Sequence, residues 1–266
     1  VVSDVWAAAD AYEEYVGRWS RRVAERFVAW LAVPAGRVWL DVGCGTGALS
    51  DAVREADGTV VGLDPSRGFV AGGRAVVVGD ARALPFPAAR FDAVVSGLAL
   101  NFVPDPARAA AEMARVTAPG GMVAAYVWDY ADGMAMMRLF WDVARELDPD
   151  APDEGDRFPI CRPDALADLW RATGLTGGLA VEPVEIRTDF ADFDDYWRPF
   201  LGGQGAAPAY LASLPAPART AVRDGLRARL PDGEIYLTAR AWAVRGRRGG
   251  GHAPATPVRS DERADR

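Results

Sequence analysis

The sequence predicts an α/β fold, a doubly wound, mostly parallel sheet with helical cover. Three observations carry that reading. Short apolar runs recur at 37–42, 59–63, 75–78, 91–97 and 122–130, the pattern of strands buried on both faces. Stretches with helical apolar spacing separate most of them, as βαβ units require. Lone aspartates, Asp41, Asp64 and Asp80, stand at or just after the ends of the first three runs. The carboxyl ends of parallel strands are where such sheets bind ligands.

In chain order, residues 12–33 place Val16, Trp19, Val23, Phe27, Trp30 and Leu31 at helical spacing. "RVWLDV" (37–42) is the first strand, 47–56 a helix, 59–63 and 75–78 the next two strands, and "FDAVVSG" (91–97) the fourth. Residues 105–121 form a helix with Asp105 as N-cap, Pro106 at its first position and Pro-Gly-Gly after its end. "MVAAYVWDY" (122–130) is the fifth strand. Beyond it the alternation loosens into helices at 134–147 and 163–173 and strands near 181–187 and 235–245. The expected organisation is one sheet domain over 1–246, with an N-terminal helical lid (1–33) and helical insertions at 131–175 and 190–232. A tail at 247–266, rich in Gly, Pro and Arg, reads as disordered.

Composition narrows the chemistry. The net charge of −7 counts against a non-specific nucleic-acid binder, which needs a cationic face. No apolar run reaches the ~18–20 residues of a membrane helix, and the acidic N-terminal stretch is unlike a signal peptide. A cytoplasmic protein is expected. All 30 basic residues are Arg, so no lysine is present to form a Schiff base. The single histidine, His252, falls in the tail, which argues against a histidine base or metal site. Cys44 and Cys161 show no metal or redox spacing, and no metal is expected.

The segment "WLDVGCGTGALSDAVREADGTVVGLDPS" (39–66) carries the site. Gly43, Gly45 and Gly47 make a turn from strand to helix that lets a ligand touch backbone near a helix N-terminus. Gly43, Gly45 and Ala48 formally satisfy a dinucleotide fingerprint. Asp41 opposes it, because a carboxylate at the loop repels a pyrophosphate and favours a cation such as an ammonium. Asp64 is placed to accept two hydrogen bonds from ribose hydroxyls. Asp80 can accept from an adenine amino group, with the Ala81 N–H facing a ring nitrogen.

"LDVGCGTG", "GLDPS", "GDARALPFPAARFDAVVSGLAL" and "MARVTAPGGMVAAY" together resemble the ordered motifs of class I S-adenosylmethionine-dependent methyltransferases. The group related to the ubiquinone and menaquinone C-methyltransferases is the most similar. The resemblance covers roughly residues 38–128 and implies a Rossmann-like, seven-stranded sheet whose last strand runs antiparallel. It implies S-adenosyl-L-methionine as cofactor. The implied binding set is Asp41, Gly43, Cys44, Gly45 and Gly47 for the methionine part, Asp64 and Pro65 for the ribose, Asp80 and Ala81 for the adenine, and Ser96 beside them. One departure stands out: Asp80 follows Asp64 by only sixteen positions. The linker holds Gly68, Gly72 and Gly73, so 65–74 are expected to form no more than about two helical turns, with a looser adenine side.

Methyl transfer is an in-line displacement that a protein catalyses largely by positioning, so a missing histidine is no objection. Where a base is needed, Asp129, Tyr12 and Tyr15 are candidates, each also readable as an ordinary structural residue. Asn101 orients an acceptor or caps a turn. Tyr15 and Trp19 are expected to roof the acceptor pocket, Asn101 to floor it, and Phe102 and Trp128 to line it. "GMAMMRLFW" (133–141) is an apolar wall or plain core, and Arg138, Arg157 and Arg162 either hold an anionic acceptor or are ordinary exposed arginines. The expected partner is a small, hydrophobic acceptor, aromatic or polyketide-like, with no nucleic acid and no membrane span. Two alternatives stay open: an S-adenosylmethionine-binding protein that does not methylate (a cyclase or a regulatory partner), and a nicotinamide-dependent oxidoreductase.

Overall fold

The apolar runs become β1 (Val38–Val42), β2 (Thr59–Asp64), β3 (Val76–Val78), β4 (Phe91–Gly97), β5 (Thr117–Trp128), β6 (Gly177–Phe190) and β7 (Ile235–Arg247). They form one seven-stranded sheet in the order β3-β2-β1-β4-β5-β7-β6. β1 to β5 pair in parallel, and β7 runs antiparallel to both β5 and β6. This is the topology that the motif resemblance implied. The structure, a computed structural model, describes residues 17–66, 75–202 and 205–249. The expectations for Tyr12 and Tyr15, for most of the 65–74 linker, and for His252 and the tail beyond residue 249 lie outside the described residues.

Helices cover both faces: α1 (Arg18–Leu31), α2 (Ala48–Glu55), α3 (Pro106–Val116), α4 (Ala135–Leu147), α5 (Glu154–Arg157), α6 (Pro163–Ala172), α7 (Phe193–Trp197), α8 (Ala206–Ser213) and α9 (Ala216–Arg227). The start of α3 follows its sequence signals, with Asp105 accepting the Arg108 N–H at 2.9 Å and Pro106 at the first position. Its end does not. β5 begins at Thr117, five residues before the expected strand, because Gly120 and Gly121 pair with the backbone of Arg248. That long-range pairing turns a Pro-Gly-Gly stop into strand. It also carries β7 through Arg247, the first residue of the expected tail.

The sheet interior is apolar, with Leu40, Val94, Val95, Val123 and Ala124 fully buried. Met134, Met136, Met137, Phe140 and Trp141 are buried too, so the 133–141 stretch is core and not an acceptor wall. Phe140 stacks on Phe200 at 4.8 Å, tying α4 to the helical insertion after β6. Arg138 lies inside this layer, donating to both oxygens of buried Asp153 at 2.6 Å. α1 lies along β6, the edge strand next to β7. Arg22 donates to the carbonyl of Arg187 at 2.9 Å, and Arg26 donates to that of Glu185. Among the described residues no helix is long and apolar enough to cross a membrane.

Candidate active site

The glycine turn is pinned to the neighbouring strand by its own backbone. The N–H groups of Gly43 and Cys44 both donate to the Leu63 carbonyl, at 2.7 and 3.1 Å. Gly43 has φ of 77°, and a Cβ there would sit 2.4 Å from the Ala99 Cβ, so only glycine fits. Gly47 leads into α2 in the left-handed conformation. Gly45 is different: a Cβ on it would meet nothing within 4 Å, because this glycine borders open space.

That space is a cavity of about 360 Å³ over the carboxyl ends of β1, β2 and β4, a size suited to a small-molecule ligand. One side is the glycine turn with Asp41, Asp64, Pro65 and Ala81. The other side is apolar, formed by Leu98, Ala99, Leu100, Phe102, Val103 and Pro104. Ser96 of β4 and Tyr126 of β5 line the cavity as well.

The three aspartates have unlike surroundings. Asp41 is fully buried; its Oδ2 accepts the Ser50 hydroxyl at 2.7 Å, and its Oδ1 has no hydrogen-bond partner. Burial pushes its pKa up to about 7, with the Asp64 charge adding and the Ser50 hydrogen bond opposing. Asp64 braces the turn. Its Oδ2 accepts the Gly45 N–H at 3.0 Å and its Oδ1 the Ser66 N–H at 2.9 Å. Asp80 is half-exposed and held by Arg82 through side-chain contacts as short as 2.6 Å, which keep its carboxyl below the usual range.

The cavity brings together Asp41, Gly43, Cys44, Gly45, Asp64, Pro65, Asp80, Ala81, Ser96 and Phe102; Gly47 shapes the turn from outside it. Several acceptor-side expectations are redirected. Asp129 is buried, with Oδ2 accepting Arg240 Nε at 2.8 Å and Oδ1 accepting the Asp132 N–H at 3.1 Å. A carboxylate so engaged is a brace between β5 and β7, not a general base. Trp19 packs edge-on against Phe190 at 5.6 Å, and its helix neighbour Ser20 takes the cavity position. Asn101 is flanked by the cavity residues Leu100 and Phe102, but its own side chain turns inward, leaving a buried amide nitrogen unpaired. Trp128 is buried two residues beyond Tyr126, on the same face of β5 but off the cavity. Arg138, as seen, is bound to Asp153.

Sequence reasoning missed Ser50, Ser20 and Tyr126. Ser50 had a signal, since the first turn of a helix after a glycine loop points back at the strand it left. Tyr126 had a fainter one in Gly97, where a Cβ would lie 2.6 Å from the Tyr126 hydroxyl.

Residues 40–125 match the family described as a methyltransferase domain. Demethylmenaquinone methyltransferase of Renibacterium salmoninarum is 44% identical over 110 residues, covering 39% of this chain and 45% of its own. The enzyme of that name from Roseiflexus castenholzii is 36% identical over 171 residues, covering 55% of this chain and 71% of its own. The chain spans about half the length of the first curated relatives it matches. Among solved structures, the YcgJ protein of Bacillus subtilis shares the fold, with a TM-score of 0.54 at 18% identity over 86% of this chain and 99% of that one. The chain belongs to the class I S-adenosylmethionine-dependent methyltransferase family.

Proposed function

We propose that this chain moves a methyl group from S-adenosylmethionine to a small, largely apolar acceptor. The observation that carries the reading is the two-sided cavity, with carboxylates and bare backbone over β1 and β2 and an apolar wall after β4. The cofactor fits the first side. The unpartnered Asp41 Oδ1 is an acceptor for its ammonium. Asp64, at the end of β2 and lining the cavity, offers its carboxylate to the ribose hydroxyls. Asp80 and the Ala81 N–H serve the adenine, with Asp80 shared between the ring and Arg82. When bound, S-adenosylmethionine supplies a methyl on a cationic sulfur, already activated for in-line displacement.

Gly43, Cys44, Gly45, Pro65 and Ser96 shape the space around it. The wall of Leu98, Ala99, Phe102 and Val103 excludes water and offers no charge to a polar acceptor. Relatives named for demethylmenaquinone and for 2-methyl-6-phytyl-1,4-hydroquinone support an apolar ring as the class. With Asp129 committed to Arg240, the chain's part is orientation, and the acceptor brings its own ionised or carbanionic centre.

Calorimetric titration with S-adenosylmethionine, followed by an acceptor screen read by S-adenosylhomocysteine release, tests this. A folded protein that binds no S-adenosylmethionine would sink the proposal. Binding without release from any acceptor would favour the non-methylating reading of the same cavity.

A further inference from the structure

The floor of the cavity holds a carboxyl whose ionisation is set by what lies above it. Asp41 takes its hydrogen bonds from Ser50, from the hydroxyl at 2.7 Å and from the backbone N–H, and its buried Oδ1, at the cavity floor, has no partner. Among the described residues, no cation stands at contact distance from it. From β2 comes Asp64, a like charge. From α2, beyond Ser50, comes Arg54, already paired with Asp51 at 2.9 Å. Ser20 of α1, Ser96 of β4, Tyr126 of β5 and Cys44 of the turn line the same cavity, and none carries positive charge. After β3, Asp80 and Arg82 neutralise each other at 2.6 Å. A carboxylate in this position would stand buried, half-satisfied and beside a second anion.

We infer that Asp41 is a proton-exchanging receptor: it carries a proton in the empty cavity and releases it when a ligand's ammonium group docks against Oδ1. The inference rests on the cofactor reading above. The Asp41 O–H bond breaks, the proton passes to the buffer, and the carboxylate left behind forms an ion pair with the ammonium. A ligand without the ammonium leaves the carboxyl neutral and gains nothing there. Asp41 thereby selects for the amino-acid end of the cofactor by creating its counter-charge on demand. The burial-driven rise of its pKa to about 7 agrees.

Calorimetry with S-adenosylhomocysteine at pH 6.5, in phosphate and in imidazole buffer, reads the exchange directly. The binding enthalpies should differ by the gap in buffer ionisation heats times roughly 0.5–1 proton, a difference that fades by about pH 8.5. 5′-Methylthioadenosine, which lacks the amino-acid end, should bind with the same enthalpy in both buffers. Asp41→Asn should abolish the buffer dependence for S-adenosylhomocysteine. Equal enthalpies in both buffers for the unmodified protein would overturn the inference while leaving the cofactor reading intact. Proton release by 5′-methylthioadenosine would overturn it as well. No binding heat from either ligand, in either buffer, would remove both.

Discussion

Buried carboxylates in the two halves of the sheet are treated differently. In the half around β5 and β7, Asp129 accepts from Arg240 and from the Asp132 N–H. Asp153 accepts from Arg138 and from the Gly155 N–H. Burial works to raise the Asp153 pKa, and the Arg138 hydrogen bonds outweigh it, so the carboxyl sits below the usual range. In the half around β1 and β2, Asp41 is partnered by Ser50 alone, with no cation paired to it. Its Oδ1 is the one buried carboxylate oxygen, among the described residues, with no hydrogen bond. A fully partnered buried acid is architecture; one left short holds a place for a ligand.

The sharpest way to test that contrast is pH. The folded protein keeps the Asp41 proton up to about pH 7, whereas the unfolded chain loses it near 3.8. Between those values the folded state binds more protons. The empty protein therefore loses stability as pH rises through the window, by about 4 kcal/mol once above it. Asp41→Asn should remove that loss. Thermal melts of both forms from pH 4.5 to 8 check it, and a constant gap between them would break the contrast. Next in size is Asp129→Ala, which leaves the guanidinium of Arg240 with Glu185 at 3.6 Å and the face of the Trp242 ring. It should lower stability by about 3 kcal/mol and leave S-adenosylmethionine affinity unchanged, as urea unfolding and calorimetry would show.

Asp64→Ala removes the brace on Gly45 and Ser66 along with the acceptor for the ribose. About 2 kcal/mol of cofactor affinity should go, roughly thirtyfold in Kd. Unchanged affinity in a folded variant would take Asp64 out of the site. The smallest effect is expected at the apolar wall. Phe102 is 40% exposed and meets Phe158 edge-on at 5.3 Å. Phe102→Ala should raise the KM of an acceptor found by the screen roughly fivefold, about 1 kcal/mol, with cofactor Kd and melting temperature nearly constant. A shift in cofactor Kd instead would place Phe102 on the other side of the cavity.

Most of the parallel half was legible in the sequence because its determinants are local. Three glycines at alternate positions, and an acid at each of three strand ends, sit within a few residues of the elements they serve. The strand boundaries at 59–64, 76–78 and 91–97 follow from the same short runs. The other half resisted because its determinants are distant. Asp129 reads as an available base until Arg240, 111 residues later, folds against it. Trp19 reads as a roof because helical spacing alone cannot say which neighbour, Trp19 or Ser20, turns toward the ligand. Phe190 decides that from across the chain. The early start of β5 depends in the same way on Arg248.

The arginines of α1 have a consequence for how the molecule meets its own copies. β6 ends the sheet, and a terminal strand normally offers unpaired carbonyls that recruit a strand from another chain. Glu185 and Arg187 lie two residues apart, so their carbonyls point the same way; those are the two groups that Arg26 and Arg22 occupy. α1 thus acts as a stopper against edge-to-edge polymerisation. Charge at these positions guards against fibre growth even though neither arginine touches the cavity.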